Sequence, residues 1–101
     1  MSVSQLRLLP VHPGEVLFED FLKPTNMSAK ELAAALKVSD GEIAAIINGE
    51  GGIEANIALR LARFFGTSEE VWMNLQSRYE LEVAKDSLKE AIEREVVPFK
   101  T

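Results

Sequence analysis

Few residues in this chain could do covalent or metal chemistry. Its 101 residues include one histidine and no cysteine. His12 could ligate a metal or move a proton, but it has no histidine or thiol companion. Its position just before Pro13-Gly14-Glu15 suits a helix cap or a packing role instead. No nucleophile–base pair, phosphate-cradling glycine loop or metal cluster can be picked out, so no enzyme activity, catalytic residue, metal or cofactor is expected. The chemistry the spacing does support is non-covalent. Ser28 is followed three residues later by Glu31, and Ser39 by Glu42. Each pair is the signature of a capping box at the start of a helix. Such starts present free amides and a positive dipole end to an anion.

The two signatures stand only eleven residues apart. Between them Leu32, Ala33 and Leu36 recur at helical spacing, and after them so do Ile43, Ile46 and Ile47, until Asn48-Gly49 stops the run. Only Lys37 to Asp40 separate the two helices. So short a link forces a steep crossing, the geometry of a helix-turn-helix. Ala33 is small enough to let the helices approach closely. Leu32, Val38, Ile43 and Ile46 form the wedge between them, which leaves the start of the second helix free to enter a DNA major groove.

The flanking elements must hold this pair. Pro13 opens a helix over Gly14–Leu22, with Leu17 and Phe21 on one face, and Pro24 with Asn26 ends it. Helices follow over Ser28–Leu36, Ser39–Asn48 and Glu54–Phe65, the last carrying Ile57, Ala58, Leu61 and Ala62 and closed by Gly66. Thr67 or Ser68 caps another over Ser68–Ala84. A break at Asp86 or Ser87 sets off a last helix near Ser87–Glu95, and Pro98 ends the pattern. The expected core is Leu17, Phe21, Leu32, Leu36, Val38, Ile43, Ile46, Ile53, Leu61, Phe65, Trp72 and Leu75. Leu81, Ala84, Leu88, Ala91 and Ile92 form a late apolar seam. It either folds back on the body or meets its copy in a homodimer, the arrangement favoured here. Residues 1–11 read as an arm, 12–84 as the helix-turn-helix domain and 85–101 as a C-terminal helix and tail.

Composition bounds the class. Hydrophobic residues make up 47%, enough for one core, and no apolar run reaches the length of a membrane span. The start of the chain lacks the pattern of a secretory signal, and with the missing cysteines this favours the cytoplasm. The net charge is −5. That balance opposes binding to nucleic acid by bulk charge and suits a basic protein partner.

Four blocks carry a resemblance to a known family. They are His12-Pro13-Gly14-Glu15, the Ser28–Gly49 segment, Ala58-Leu59-Arg60-Leu61-Ala62-Arg63-Phe64-Phe65-Gly66-Thr67, and Trp72-Met73-Asn74-Leu75-Gln76 with Tyr79-Glu80-Leu81. In this order and spacing the chain resembles the HigA antitoxins of the XRE-like helix-turn-helix regulators. The resemblance implies an all-α, five- to six-helix, lambda-repressor-like domain with a C-terminal helical extension. It also implies a homodimer, a double-stranded DNA operator, and a basic HigB-like mRNA-endonuclease toxin as partner. Carried onto this chain, the DNA-facing positions are Ser28, Lys30, Lys37 and Ser39 for phosphate, and Asp40, Gly41, Glu42, Ala44, Ala45 and Asn48 along the second helix.

Here the sequence departs from the family. The reading positions hold Asp40, Gly41, Glu42, Ala44 and Ala45 where Arg, Gln, Ser or Thr are usual. The following loop is Glu50-Gly51-Gly52 rather than basic, and Lys37 stands where a turn glycine is common. An interaction module or stand-alone regulator of the same fold, with weak DNA binding, is therefore the competing expectation. Trp72 is expected in the core. Arg60 and Arg63 either touch phosphate or toxin, or are solvated or paired with Glu54.

Overall fold

The structure, a computed structural model, describes residues 10–100. Most of the arm expected over residues 1–11 lies outside them. The described residues form helices joined by short turns: α1 (Pro13–Val16), a π-helical segment (Leu17–Leu22), α2 (Lys23–Thr25), α3 (Ala29–Leu36), α4 (Asp40–Ile47), α5 (Ala55–Phe65) and α6 (Glu69–Glu95). No strand occurs among them.

His12 starts α1 by accepting the Gly14 N–H at Nδ1, 2.9 Å away, so the histidine is a cap. Its ring also meets Tyr79 edge-on at 4.8 Å, which ties the start of α1 to α6. The expected helix over Gly14–Leu22 proves to be one continuous run from Pro13 to Thr25 with a π turn inside it. The reason lies in the core. Leu17 and Leu22 are both buried, and a hydrogen-bond spacing of five residues brings positions five apart onto one side. The same turn seats Phe21 against Phe65 and Trp72, with ring centroids at 4.8 and 4.9 Å. Pro24 therefore does not stop the helix. It sits in the last turn, after the wide π turn has passed, and Asn26 ends the run in the left-handed conformation at φ 55°.

Around this hub the core gathers Leu32, Ala33, Leu36, Ile43, Ile46, Ile53, Ile57, Ala58, Leu61, Ala62 and Trp72. Phe21, Val38, Phe65 and Leu75, expected fully inside, pack against its edge. Trp72 is completely buried, and its indole N–H donates to Thr67 Oγ1 at 2.8 Å. That bond fixes the turn before α6, while Ser68 Oγ accepts the Val71 N–H to cap the helix.

The expected break at Asp86 or Ser87 does not occur, and α6 runs unbroken to Glu95. Ser87 stays helical because its hydroxyl donates back to the Val83 carbonyl at 3.0 Å. The second half of α6 projects from the body, giving extents of 52 × 28 × 23 Å. Its apolar seam does not fold back: Leu81, Leu88 and Ile92 are each about half exposed, at 56%, 49% and 50%, with Ala84 and Ala91 half-buried between them.

Candidate nucleic-acid interface

The site is built from α3, its turn and α4. Ser28 opens α3 with both halves of a capping box. Its Oγ accepts the Glu31 N–H, and Glu31 Oε1 accepts the Ser28 N–H, each at 3.0 Å. The Ser28 backbone N–H first, and its hydroxyl second, hold the Glu31 carboxyl below its ordinary pKa. Lys37 then turns the chain at φ 60°, ψ 43°, the left-handed position. A side chain there costs about 1–2 kcal/mol. The turn is closed by backbone bonds from Lys37 N to Ala34 O and from Val38 N to Ala33 O. Ser39 caps α4 by accepting the Glu42 N–H at 3.2 Å. Only that half of the second box forms, and the Glu42 side chain is left exposed.

What α4 presents follows from its spacing. Ile43 and Ile46 are buried and Ile47 half-buried. The opposite face runs Gly41, Ala44, Ala45, Asn48, an i, i+3, i+4, i+7 ridge. Asp40 and Glu42 lie to its two sides and are exposed. The sequence suggests a carboxylate-studded reading head; the helix instead has a nearly bare ridge with a carboxylate on each flank. A bare ridge lets the helix backbone come close to whatever it meets. The loop behind it is equally lean. Glu50 N and Gly51 N both donate to the Ala45 carbonyl, at 2.8 and 3.0 Å. Gln76 of α6 holds the next residue by accepting the Ile53 N–H at 2.8 Å. A Cβ on Gly52 would stand 2.9 Å from the Gln76 amide nitrogen, so glycine is what lets Gln76 reach in.

The basic residues divide. Ser28, Lys30, Lys37 and Ser39 are exposed along the two helix starts and the turn. Arg60 is committed to the fold: its Nη1 donates to the Leu36 carbonyl and its Nε to Asn56 Oδ1, both at 2.8 Å. It thereby closes the free end of α3, and no bond to Glu54 forms. Sequence reasoning missed this role and that of Gln76, because each reaches more than twenty residues back along the chain.

A family model described as helix-turn-helix matches residues 19–72. This chain belongs to the helix-turn-helix family. The match takes in α3, the turn, α4 and α5 together, the elements that position the ridge. Among solved structures, the fold is similar to the Pseudomonas aeruginosa antitoxin HigA with the higBA promoter, at 44% identity and a TM-score of 0.88, covering 90% of this chain and 99% of that one. Antitoxin HigA-1 of Vibrio cholerae is 38% identical over 72 residues, 71% of this chain and 68% of that protein. Virulence-associated protein I of Dichelobacter nodosus is 47% identical over 75 residues, 74% of this chain and 69% of its own. These relatives carry the names of antitoxins and of a virulence-associated protein, not of enzymes. No described helix is long and apolar enough to cross a membrane.

Proposed function

We propose that this chain is a HigA-like antitoxin. It binds the operator of its own genes as a repressor, and it binds and neutralises a basic HigB-like toxin in the cytoplasm. The observation that carries the reading is the outward-facing α4 ridge, set in a fold that matches the structure of an antitoxin HigA with the higBA promoter.

The ridge suggests how bases are read. Ala44 and Ala45 offer only methyl groups, which suit thymine methyls, and the Asn48 amide suits adenine. Ser28, Lys30, Lys37 and Ser39, with the amides opening α3 and α4, supply phosphate contacts. With Arg60 engaged elsewhere, these contacts are few. Useful operator affinity therefore needs two copies on one site. The α6 seam of Leu81, Ala84, Leu88, Ala91 and Ile92 provides the two-fold contact, because the body leaves it uncovered.

Fluorescence anisotropy with the upstream promoter fragment tests the reading. Saturable binding that weakens as salt rises, at two chains per site, is the expected result. Equal binding to a scrambled fragment sinks the repressor role and leaves an interaction module. A monomer mass by light scattering at high micromolar concentration removes the dimer.

A further inference from the structure

Two regions of the described surface differ sharply in charge. A groove of about 620 Å³ between α3 and α5 is lined by Lys37, Arg60 and Arg63 with Leu59 and Phe64, and no carboxylate lines it. The opposite character gathers on the first helical run. There Glu15, Glu19 and Asp20 stand in sequence around Phe18, which is 42% exposed.

Phe18 stands out among the aromatics of the helical body. The π turn sends Leu17, Phe21 and Leu22 toward the core and leaves Phe18 outside. Phe64 is equally exposed but meets Phe65 edge-on at 5.0 Å; Phe18 meets no ring among the described residues, and Phe99, 91% exposed, lies beyond the helical body in the tail after α6. Beside it a cavity of about 350 Å³ opens, lined by His12, Glu15, Phe18, Ile47, Asn48 and Gly49. Glu19 is shared with Lys23 at 3.5 Å, but both side chains are about half exposed or more, so the pair costs little to open. Asp20 has no ion pair or hydrogen bond among the described residues. An exposed aromatic lining a cavity with Glu15, and followed along the helix by Glu19 and Asp20, has the form of an interface anchor.

We infer that this face, with Phe18 as the apolar anchor and Glu15, Glu19 and Asp20 as its rim, is where a basic protein docks. Given the antitoxin reading, on which this rests, that protein is the toxin. The choice of partner follows from charge. A nucleic acid brings phosphates, which these carboxylates repel. A second copy of this chain is already engaged through the α6 seam in the proposed function, and its basic groove lies between α3 and α5, where Arg60 is committed to the fold. A basic protein is steered toward the rim and loses little by desolvating an aromatic. The anchor sets how long the complex lasts; the rim sets how fast it forms.

The test uses the full chain and a catalytically silenced HigB-type toxin expressed from the reading frame beside it, with binding followed in real time. Phe18→Ala is expected to weaken binding by about tenfold or more, mainly through faster dissociation. The double change Glu19→Gln with Asp20→Asn is expected to slow association at low salt and flatten its salt dependence, with dissociation little changed. Because Phe18 is exposed, the variants should keep the melting temperature and promoter binding of the parent chain. Toxin affinity within twofold of the parent for both variants overturns the surface while leaving the antitoxin reading intact. A Phe18→Ala chain that melts early but binds toxin normally also overturns it, and leaves the ring a part of the fold only. A change in self-association with unaltered toxin binding assigns the face to a second copy instead. If the unsubstituted chain does not bind the toxin at all, both readings fall.

Discussion

Gly14 and Ile46 meet backbone to backbone. A Cβ on Gly14 would overlap the Ile46 carbonyl oxygen, which cannot move without unwinding the end of α4. The start of α1 is therefore laid directly on the helix that carries the proposed reading ridge. Gly14→Ala should force the two apart and lower stability by about 1–3 kcal/mol or somewhat more, the range for overpacking a tight contact. Urea unfolding measures it. Gly41→Ala is the matched control. Nothing lies within 4 Å of a Cβ there, so alanine in α4 should add about 0.5–1 kcal/mol. A Gly14→Ala chain as stable as the parent shows that α1 and α4 are not locked together.

Lys37 carries two opposed duties. Its left-handed backbone favours glycine, and its ammonium group serves as a phosphate contact in the proposed function. Lys37→Gly should therefore gain about 1 kcal/mol of folding stability. It should also reduce the salt slope of promoter binding by about 0.9, the share of one phosphate. Melting curves and a salt titration check the two halves separately. A more stable variant with an unchanged slope leaves Lys37 as a turn residue only.

The Ser28–Glu31 box gives a pH signature. Hydrogen bonds from Ser28 lower the Glu31 pKa in the folded chain, so the unfolded chain binds its proton more readily. The contribution is fully present above the ordinary carboxyl pKa of 4.5 and is lost as pH falls through the lowered folded value. Glu31→Gln keeps an acceptor for the Ser28 N–H but has no proton to gain. The stability gap between parent and variant should narrow on acidification below that range and stay flat at neutral pH. A gap that widens with acid shows that the box is not the titrating element.

These positions also show what could be read from the chain in advance. The two serine caps, the buried Trp72, the His12 cap and the helical stripes of α3, α4 and α5 are local patterns, with every residue of each signal within a few positions. They were legible for that reason. The π turn was not, because whether Leu17 and Leu22 share a face depends on the core they enter. Gly14, Arg60 and Gln76 were opaque as well: their partners Ile46, Leu36 and Ile53 lie more than twenty residues away in sequence. The unbroken α6 was misjudged because Ser87, a poor helix former, satisfies its hydroxyl inside the helix. Of the expected reading positions, Asp40, Gly41, Glu42 and Asn48 are exposed and Ala44 and Ala45 half-buried; which side chains point straight outward follows only from the packing of Ile43 and Ile46.

That last distinction decides what Asp40 and Glu42 do. From sequence they stand at the head of the expected reading helix, among the positions expected to face the bases. In the fold they flank the ridge of Gly41, Ala44, Ala45 and Asn48, and in the proposed binding mode phosphates pass beside them. A carboxylate beside a phosphate repels it whatever the sequence of the DNA. Replacing both residues, Asp40→Asn with Glu42→Gln, should therefore tighten binding to promoter and scrambled fragments alike. The ratio of the two affinities should hardly change, because the ridge that distinguishes them is untouched. Ala44 and Ala45 should behave the other way. Ala45→Ser keeps the size small but puts a hydroxyl where a thymine methyl would lie, so promoter binding should fall while scrambled binding stays. Anisotropy titrations of both fragments at one fixed salt concentration settle the matter. If the double variant instead binds the promoter more weakly and loses its preference, the carboxylates are accepting hydrogen bonds from cytosine amino groups. The flanking geometry would then have been reshaped on DNA, and the charge argument fails.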